Sequence, residues 1–296
     1  VLSLKDGGTM KTKYKGILCI LCSAFCFALM NTFVRLSGDL PSIQKSFFRN
    51  VVALIFAYIV IKKNKESLRC KQGNFKYLMI RSFFGTIGVL CNFYAVDHLV
   101  LSDASMLNKM SPFFVIILSM IFLNEKVNLV QGLAVVAAFV GSLFIIKPTF
   151  ANMELVPSLI GLLGGFGAGA AYTAVRYLGQ RGEKGSLIVF VFSAFSCLVT
   201  LPFLIFQYAP MELWQIGVLL LAGLAAAGGQ FAITAAYSYA PAKEISVYDY
   251  SQVIFSAILG FILFGQIPDR FSILGYFIVC ATAIGMFFYG KKQKSV

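Results

Sequence analysis

Four ionisable side chains stand inside long apolar runs of this 296-residue sequence: Arg49, Arg81, Lys109 and Asp249. A charge there costs at least a few kcal/mol unless it meets a partner or water, so each is expected to face another charge, a polar cavity or a ligand. Counted from the nearer end of its run at ~1.5 Å per residue, Arg81 and Asp249 reach roughly 8–10 Å from one side, and Arg49 and Lys109 roughly 10–12 Å from the other. On that count Arg81 and Asp249 are placed to pair. Arg49 and Lys109 have only Asp103 nearby, itself closer to the surface, so two cations share at most one anion and leave a positive site. A carboxylate or phosphate on a ligand offsets such a charge, and arginine suits bidentate recognition. Asp249 is also the candidate coupling residue, because a buried acid can take up and release a proton. The structural alternatives are that Arg49 snorkels to headgroups, that Lys109 is satisfied by Asp103 or backbone carbonyls, and that Asp249 is a fixed partner of Arg81.

Uncharged polar and aromatic groups one or two turns into the same runs complete a candidate binding set: Asn92, Tyr94, Asn108, Tyr172, Gln230, Tyr248 and Gln252. They suit hydrogen bonding and stacking to a small polar ligand, with interhelical hydrogen bonding as the structural alternative. Asp103 and Glu244 fall in first turns of helices, where a carboxylate stabilises the N-terminus. Arg35 and Arg176 stand at helix ends, where snorkelling or gating contacts are expected. His98, beside Asp97, is the single histidine and reads as a solvated loop residue. Seven cysteines, three of them Cys19, Cys22 and Cys26, lack metal-ligand spacing and read as small apolar residues. Gly161, Gly165 and Gly169, with Gly164 and Gly167 close by, superficially resemble a nucleotide loop, but no strand precedes them, and close helix packing is the better account.

The elements that must position these groups follow from composition. Hydrophobic residues make up 59% of the chain and charged residues 12%, and the mean hydropathy is +0.83, whereas soluble domains carry about 25% charged residues. Apolar runs fall near 17–36, 42–62, 76–96, 101–123, 129–147, 158–178, 186–206, 212–236, 243–264 and 272–289, each long enough to cross a bilayer as a helix. Their uninterrupted character excludes the alternating pattern of a barrel. The net charge of +13 concentrates in alternate loops, including Lys11, Lys13, Lys15, Lys62, Lys63, Lys65, Arg69, Lys71, Lys76, Lys126, Arg181, Lys184, Lys243, Lys291, Lys292 and Lys294. Lys45, Lys147 and Arg270 lie on the other side. That bias puts both termini in the cytoplasm of a multi-pass plasma-membrane protein and makes nucleic acid an unneeded partner. Residues 1–9 precede Met10, whose Met-Lys-Thr-Lys-Tyr-Lys looks like a natural start, and are given no structural role. The first apolar run lacks a cleavage site and reads as a retained helix.

Laid on itself with a shift of 141 residues, the chain repeats: Phe25, Thr32, Val34 and Arg35 fall on Phe166, Thr173, Val175 and Arg176, and Gly88, Ala95 and Ser105 on Gly229, Ala236 and Ser246. The shift also sets Asp103 opposite Glu244, Asn108 opposite Asp249 and Glu125 opposite Gln266. Five spans per copy turn the second copy over, an arrangement used by transporters. The expected fold is therefore an all-α membrane protein of ten transmembrane helices, as two inverted five-helix repeats around a central cavity. Its parts are a tail at 1–15, repeats at 16–148 (helices 1–5) and 149–290 (helices 6–10), and a tail at 291–296.

The stretch from Asp103 to Pro112, closing with Leu123-Asn-Glu-Lys126, resembles the fourth helix of EamA-type proteins in the drug/metabolite transporter superfamily. Pro241 to Gln252, followed by Gly260 and Phe264-Gly-Gln-Ile-Pro268, resembles the ninth. The resemblance implies two five-helix bundles, a cavity lined mainly by helices 1, 3, 4, 6, 8 and 9, and helices 5 and 10 at the periphery. Lys109 and Gln266 depart from the family pattern. With no Walker loop for ATP and no cofactor, the expected activity is secondary transport by alternating access of a small polar metabolite, an organic anion or an amino-acid-like zwitterion. Coupling to a proton or to an exchanged metabolite, and a monomer or a homodimer, stay open. The rival readings are a carrier of an organic cation, nucleoside-like metabolite or drug, a membrane-embedded enzyme, for which one histidine leaves few catalytic sets, and a channel.

Overall fold

Backbone N–H and C=O groups have no water to bond in lipid, so apolar runs of this length close their hydrogen bonds internally as helices. In a computed structural model, which describes residues 3–122, 128–146, 154–239 and 248–293, the helices are α1 (Ser3–Leu36), α2 (Ser42–Lys63), α3 (Phe75–His98), α4 (Leu101–Asn108), α5 (Ser111–Phe122), α6 (Leu129–Ile146), α7 (Leu155–Gln180), α8 (Gly185–Phe206), α9 (Leu213–Tyr239), α10 (Ser251–Phe264) and α11 (Arg270–Gln293). No strand occurs among the described residues. Seven helices there are long and apolar enough to cross a membrane, with shorter apolar helices at Gly132–Ile145 and Ser251–Phe264. Glu125, Lys126, Lys147, Lys243, Glu244, Ser246 and Lys294, which entered the sequence reading, lie outside the described residues.

Three boundaries differ from expectation. The first helix begins at Ser3 rather than near residue 17, although its membrane-grade portion is Tyr14–Leu36. The fourth and ninth spans, expected as continuous helices, are both interrupted. In the first half α4 stops at Asn108, with Lys109 as its C-terminal cap, and α5 starts at Ser111. Pro112 accounts for that stop, because its ring nitrogen has no hydrogen to give the carbonyl of Asn108 and its ring crowds that oxygen. In the second half the turn falls at Tyr250, the residue that the 141-residue shift sets opposite Lys109. Val253 stands opposite Pro112, so this second turn forms without a proline.

Helix packing repeats the sequence symmetry. α1 packs chiefly on α9 as its counterpart α7 does on α3, α2 lies on α8, α4 on α10, and α6 on α11, while α10 rests on α1 as α5 rests on α7. The main contacts therefore run between the halves, and the two copies interlock rather than forming separate bundles. Small residues make this possible. A Cβ at Gly167 would stand 2.9 Å from the carbonyl oxygen of Phe84 and 3.0 Å from Gly88, so α3 and α7 touch backbone to backbone. A Cβ at Gly165 or at Gly169, one turn on, would stand 2.5 or 2.9 Å from the carbonyl oxygen of Leu107 or Ser111, which seats the α4–α5 interruption on α7. α6 and α11 form a peripheral pair. Exposed Leu129, Phe206, Leu213 and Phe277 give the outer surface an apolar covering suited to lipid.

Candidate functional site

The two interruptions meet at the centre, and the charges they carry meet with them. Lys109 Nζ lies 2.6 Å from Asp249 Oδ2, with both side chains 3% exposed. This corrects both expected pairings. Asp249 bonds the first half's lysine instead of Arg81, and Asp103 accepts from Tyr276 of α11 instead of serving Lys109. Depth counted along a single helix cannot foresee this, because it compares residues that enter from the same side. An interrupted α4 lying on α10 brings residues from opposite sides to one level.

Arg49 and Arg81, with no carboxylate partner among the described residues, converge on one aromatic ring. The guanidinium carbon of Arg81 is 3.9 Å from the ring centre of Phe192 in α8, and that of Arg49 is 5.7 Å from it. Arg49 is 1% and Arg81 3% exposed, so snorkelling does not describe either. Arg49 donates to Asn50 Oδ1 at 2.6 Å, and Asn50 in turn donates to Ser46 and, across to α8, to Ser196. Arg81 donates to Gln230 Oε1 at 3.4 Å. Among the described residues, Arg49 Nε and Arg81 Nε and Nη1 have no protein acceptor, and Asp249 Oδ1 has no donor. Gly85 leaves room for this arrangement, since a Cβ there would collide with Arg81 Nη1.

These groups surround a cavity of about 60 Å³. Arg49, Arg81, Asn92, Asn108, Lys109, Tyr172, Gln230 and Gln252 line it, drawn from α2, α3, the α4–α5 turn, α7, α9 and α10. Three expected members stand elsewhere. Asp249 does not line the cavity and is bonded to Lys109, which does. Tyr94 stacks on His98 with ring centres 4.1 Å apart, and Tyr248 packs edge-on against Phe287 and beside Ile20 and Ala236. Tyr94 points away because it lies on the face of α3 opposite Asn92, which lines the cavity.

Sequence reasoning passed over Phe27, Asn31, Asn50 and Phe192. Asn92 donates to Asn31 at 3.0 Å, Asn31 to Ser105 at 3.5 Å, and Ser105 and Ser256 share a bond of 2.7 Å, so a polar chain ties α3, α1, α4 and α10 along the cavity wall. A buried asparagine within an apolar span was the available signal. Among the described residues around the cavity, three cations stand against one carboxylate, and apolar walls strengthen the resulting field.

At the end where α1 terminates, polar contacts tie helices within the first half, through Arg35 and Lys45, and fasten the first half to the second, through Gln44, Gln215 and Leu101. Arg35 donates to the carbonyls of Val96 at 2.9 Å and of Leu99, and lies over the Phe264 ring of α10. Lys45 pairs with Asp97 at 2.6 Å, Gln44 bonds Ala209 in both directions, Gln215 donates to the Ser37 carbonyl, and Leu101 N–H donates to Gln266.

Comparison with known proteins matches the EamA-like transporter family twice, over residues 14–147 and 156–288. The pseudopaline exporter CntI of Pseudomonas aeruginosa is 32% identical over 92% of this chain and 95% of its own. A riboflavin transporter of Brucella anthropi is 28% identical over 93% of this chain and 96% of its own, and human solute carrier family 35 member G1 is 26% identical over 91% and 78%. A crystal structure at 15% identity superposes with a TM-score of 0.66, covering 92% of this chain and 95% of that one, which supports the fold.

Proposed function

This chain belongs to the EamA-like transporter family, and from that membership and the charge of its cavity we propose that it is a secondary carrier moving an organic anion or zwitterion, such as an amino-acid-like compound, by alternating access. It is a multi-pass membrane protein, and its relatives transport small molecules. Those relatives are named for different cargoes, pseudopaline and riboflavin, so the residues of this cavity must make the choice here. The observation that carries the reading is the pair of buried guanidiniums with unmatched N–H groups beside a lysine already neutralised by Asp249. A ligand carboxylate or phosphate supplies the missing acceptors. An organic cation could use only Asp249, whose charge is already taken.

Uptake into proteoliposomes, with and without a pH gradient, tests the reading. The panel comprises amino acids, carboxylates, nucleosides, phosphorylated sugars and quaternary or sulfonium cations. Movement of acids or amino acids is expected, and transport of quaternary cations with none of the acids overturns it. Asp249 is the proposed coupling group, because a proton there releases Lys109 for the ligand. An Asp249→Asn variant that transports with an unchanged response to the pH gradient removes that role.

The lysine and arginine bias supports both termini in the cytoplasm, which makes the fastened end the outer one. Arg35→Ala removes there the cation–π contact with Phe264 of the second half, worth about 0.5–2 kcal/mol. Labelling of a cysteine at the cavity residue Met30 by an impermeant external thiol reagent, in a background without the native cysteines, is expected to accelerate about twofold to thirtyfold. An unchanged rate takes Arg35 out of the outer closure.

A further inference from the structure

Lys109 and Asp249 form the central contact between the two interruptions, and nothing else among the described residues bonds to either charged group. Each comes from one half, at adjacent repeat positions: Lys109 matches Tyr250, and Asp249 matches Asn108. Adjacent positions of the two copies thus carry opposite charges, and the halves close on each other through them. Lys109 lines the cavity while Asp249 stands behind it with Oδ1 lacking a donor.

A ligand that draws Lys109 away strands a buried carboxylate, and a ligand that binds Asp249 strands a buried ammonium. While Asp249 is ionised, only a molecule bearing both charges replaces the internal pair without leaving either member alone. We propose that the Lys109–Asp249 pair occupies the place of an amino-acid-type zwitterion. The ligand carboxylate takes Lys109, and the ligand ammonium, with its three donors, takes Asp249 and fills the vacant capacity of Oδ1. One ion pair breaks and two form, so charge is conserved at the centre of the membrane. Arg49 and Arg81, with three N–H-bearing nitrogens lacking acceptors among the described residues, then receive a further acidic group of the same molecule, which points to acidic amino acids and their derivatives. The exchange also removes the charge contact that joins the halves, which links ligand entry to their separation. This deepens the anion-carrier reading and rests on it.

The test is thermal protection of the purified protein at pH 8 by aspartate and glutamate, by other amino acids, and by the deaminated and decarboxylated counterpart of each. Succinate and glutarate thus report the acid groups alone. Half-maximal protection by at least one amino acid is expected at a concentration at least tenfold below that of either counterpart. In a Lys109→Met/Asp249→Leu variant, which removes both charges together, the parent should lose that advantage over its deaminated form. A deaminated acid that protects as well as its parent overturns the zwitterion proposal and leaves the anion reading standing. Protection by amines alone overturns both. Protection by no member of the panel overturns the amino-acid assignment, and the proteoliposome uptake panel then judges the anion reading separately. The wild-type comparison decides even if the double variant does not fold.

Discussion

Replacing Lys109 by alanine is expected to cost about 3–5 kcal/mol of stability and to abolish transport, the two effects having separable origins. The stability loss comes from Asp249, which would remain 2% exposed with no cation beside it; breaking a buried pair from one side carries a penalty of that order. The transport loss comes from removing a cation that lines the cavity. A second substitution separates them. Adding Asp249→Leu removes the stranded carboxylate, and replacement of a buried pair by apolar side chains is often neutral or stabilising. The double variant should therefore unfold near the wild-type temperature in detergent and still fail to transport. Wild-type transport by Lys109→Ala would remove the lysine from the site. A double variant as unstable as the single one would show that the pair is not the source of the loss.

Arg81→Gln is expected to behave in the opposite way, lowering apparent affinity without lowering stability. Arg81 and Arg49 are buried cations on one phenyl ring with no carboxylate of their own among the described residues. Two like charges in low dielectric repel, so losing one relieves the folded state. A ligand acid, by contrast, loses charge-assisted bonds worth about 1.5–3 kcal/mol, which corresponds to a rise in KM of about tenfold to a hundredfold. Arg81 has two N–H-bearing nitrogens without an acceptor, whereas Arg49 has one and is bonded to Asn50. The effect should accordingly be larger at Arg81 than in Arg49→Gln. Arg81→Lys keeps the charge without the planar fork and should recover only part of the affinity. Equal KM in all three variants would place the ligand elsewhere.

The fold was legible because its signals are local or periodic. A span shows itself as an apolar run, and the repeat shows itself as a constant shift, so the order of helices and the central position of Arg49, Arg81, Lys109 and Gln230 could be anticipated. What depended on the third dimension could not. The pairing of Lys109 with Asp249 joins residues 140 positions apart, through interruptions that a hydropathy scan smooths over. Pro112 marked the first interruption in plain view, while Tyr250 carries no such mark. Phe192 was one phenylalanine among thirty, and only geometry distinguishes the ring that two guanidiniums share. Tyr94 and Tyr248 sat at suitable depth, but depth says nothing about which face of a helix a side chain occupies.

The most direct test of an acid-binding cavity between the halves is an electron cryo-microscopy map of the protein saturated with the best-transported member of the uptake panel. The account predicts ligand density touching Arg81 and Lys109, with the acidic group within about 3 Å of a guanidinium and the Lys109–Asp249 contact opened. Density for the ligand outside this cavity, with that contact still closed, would contradict it.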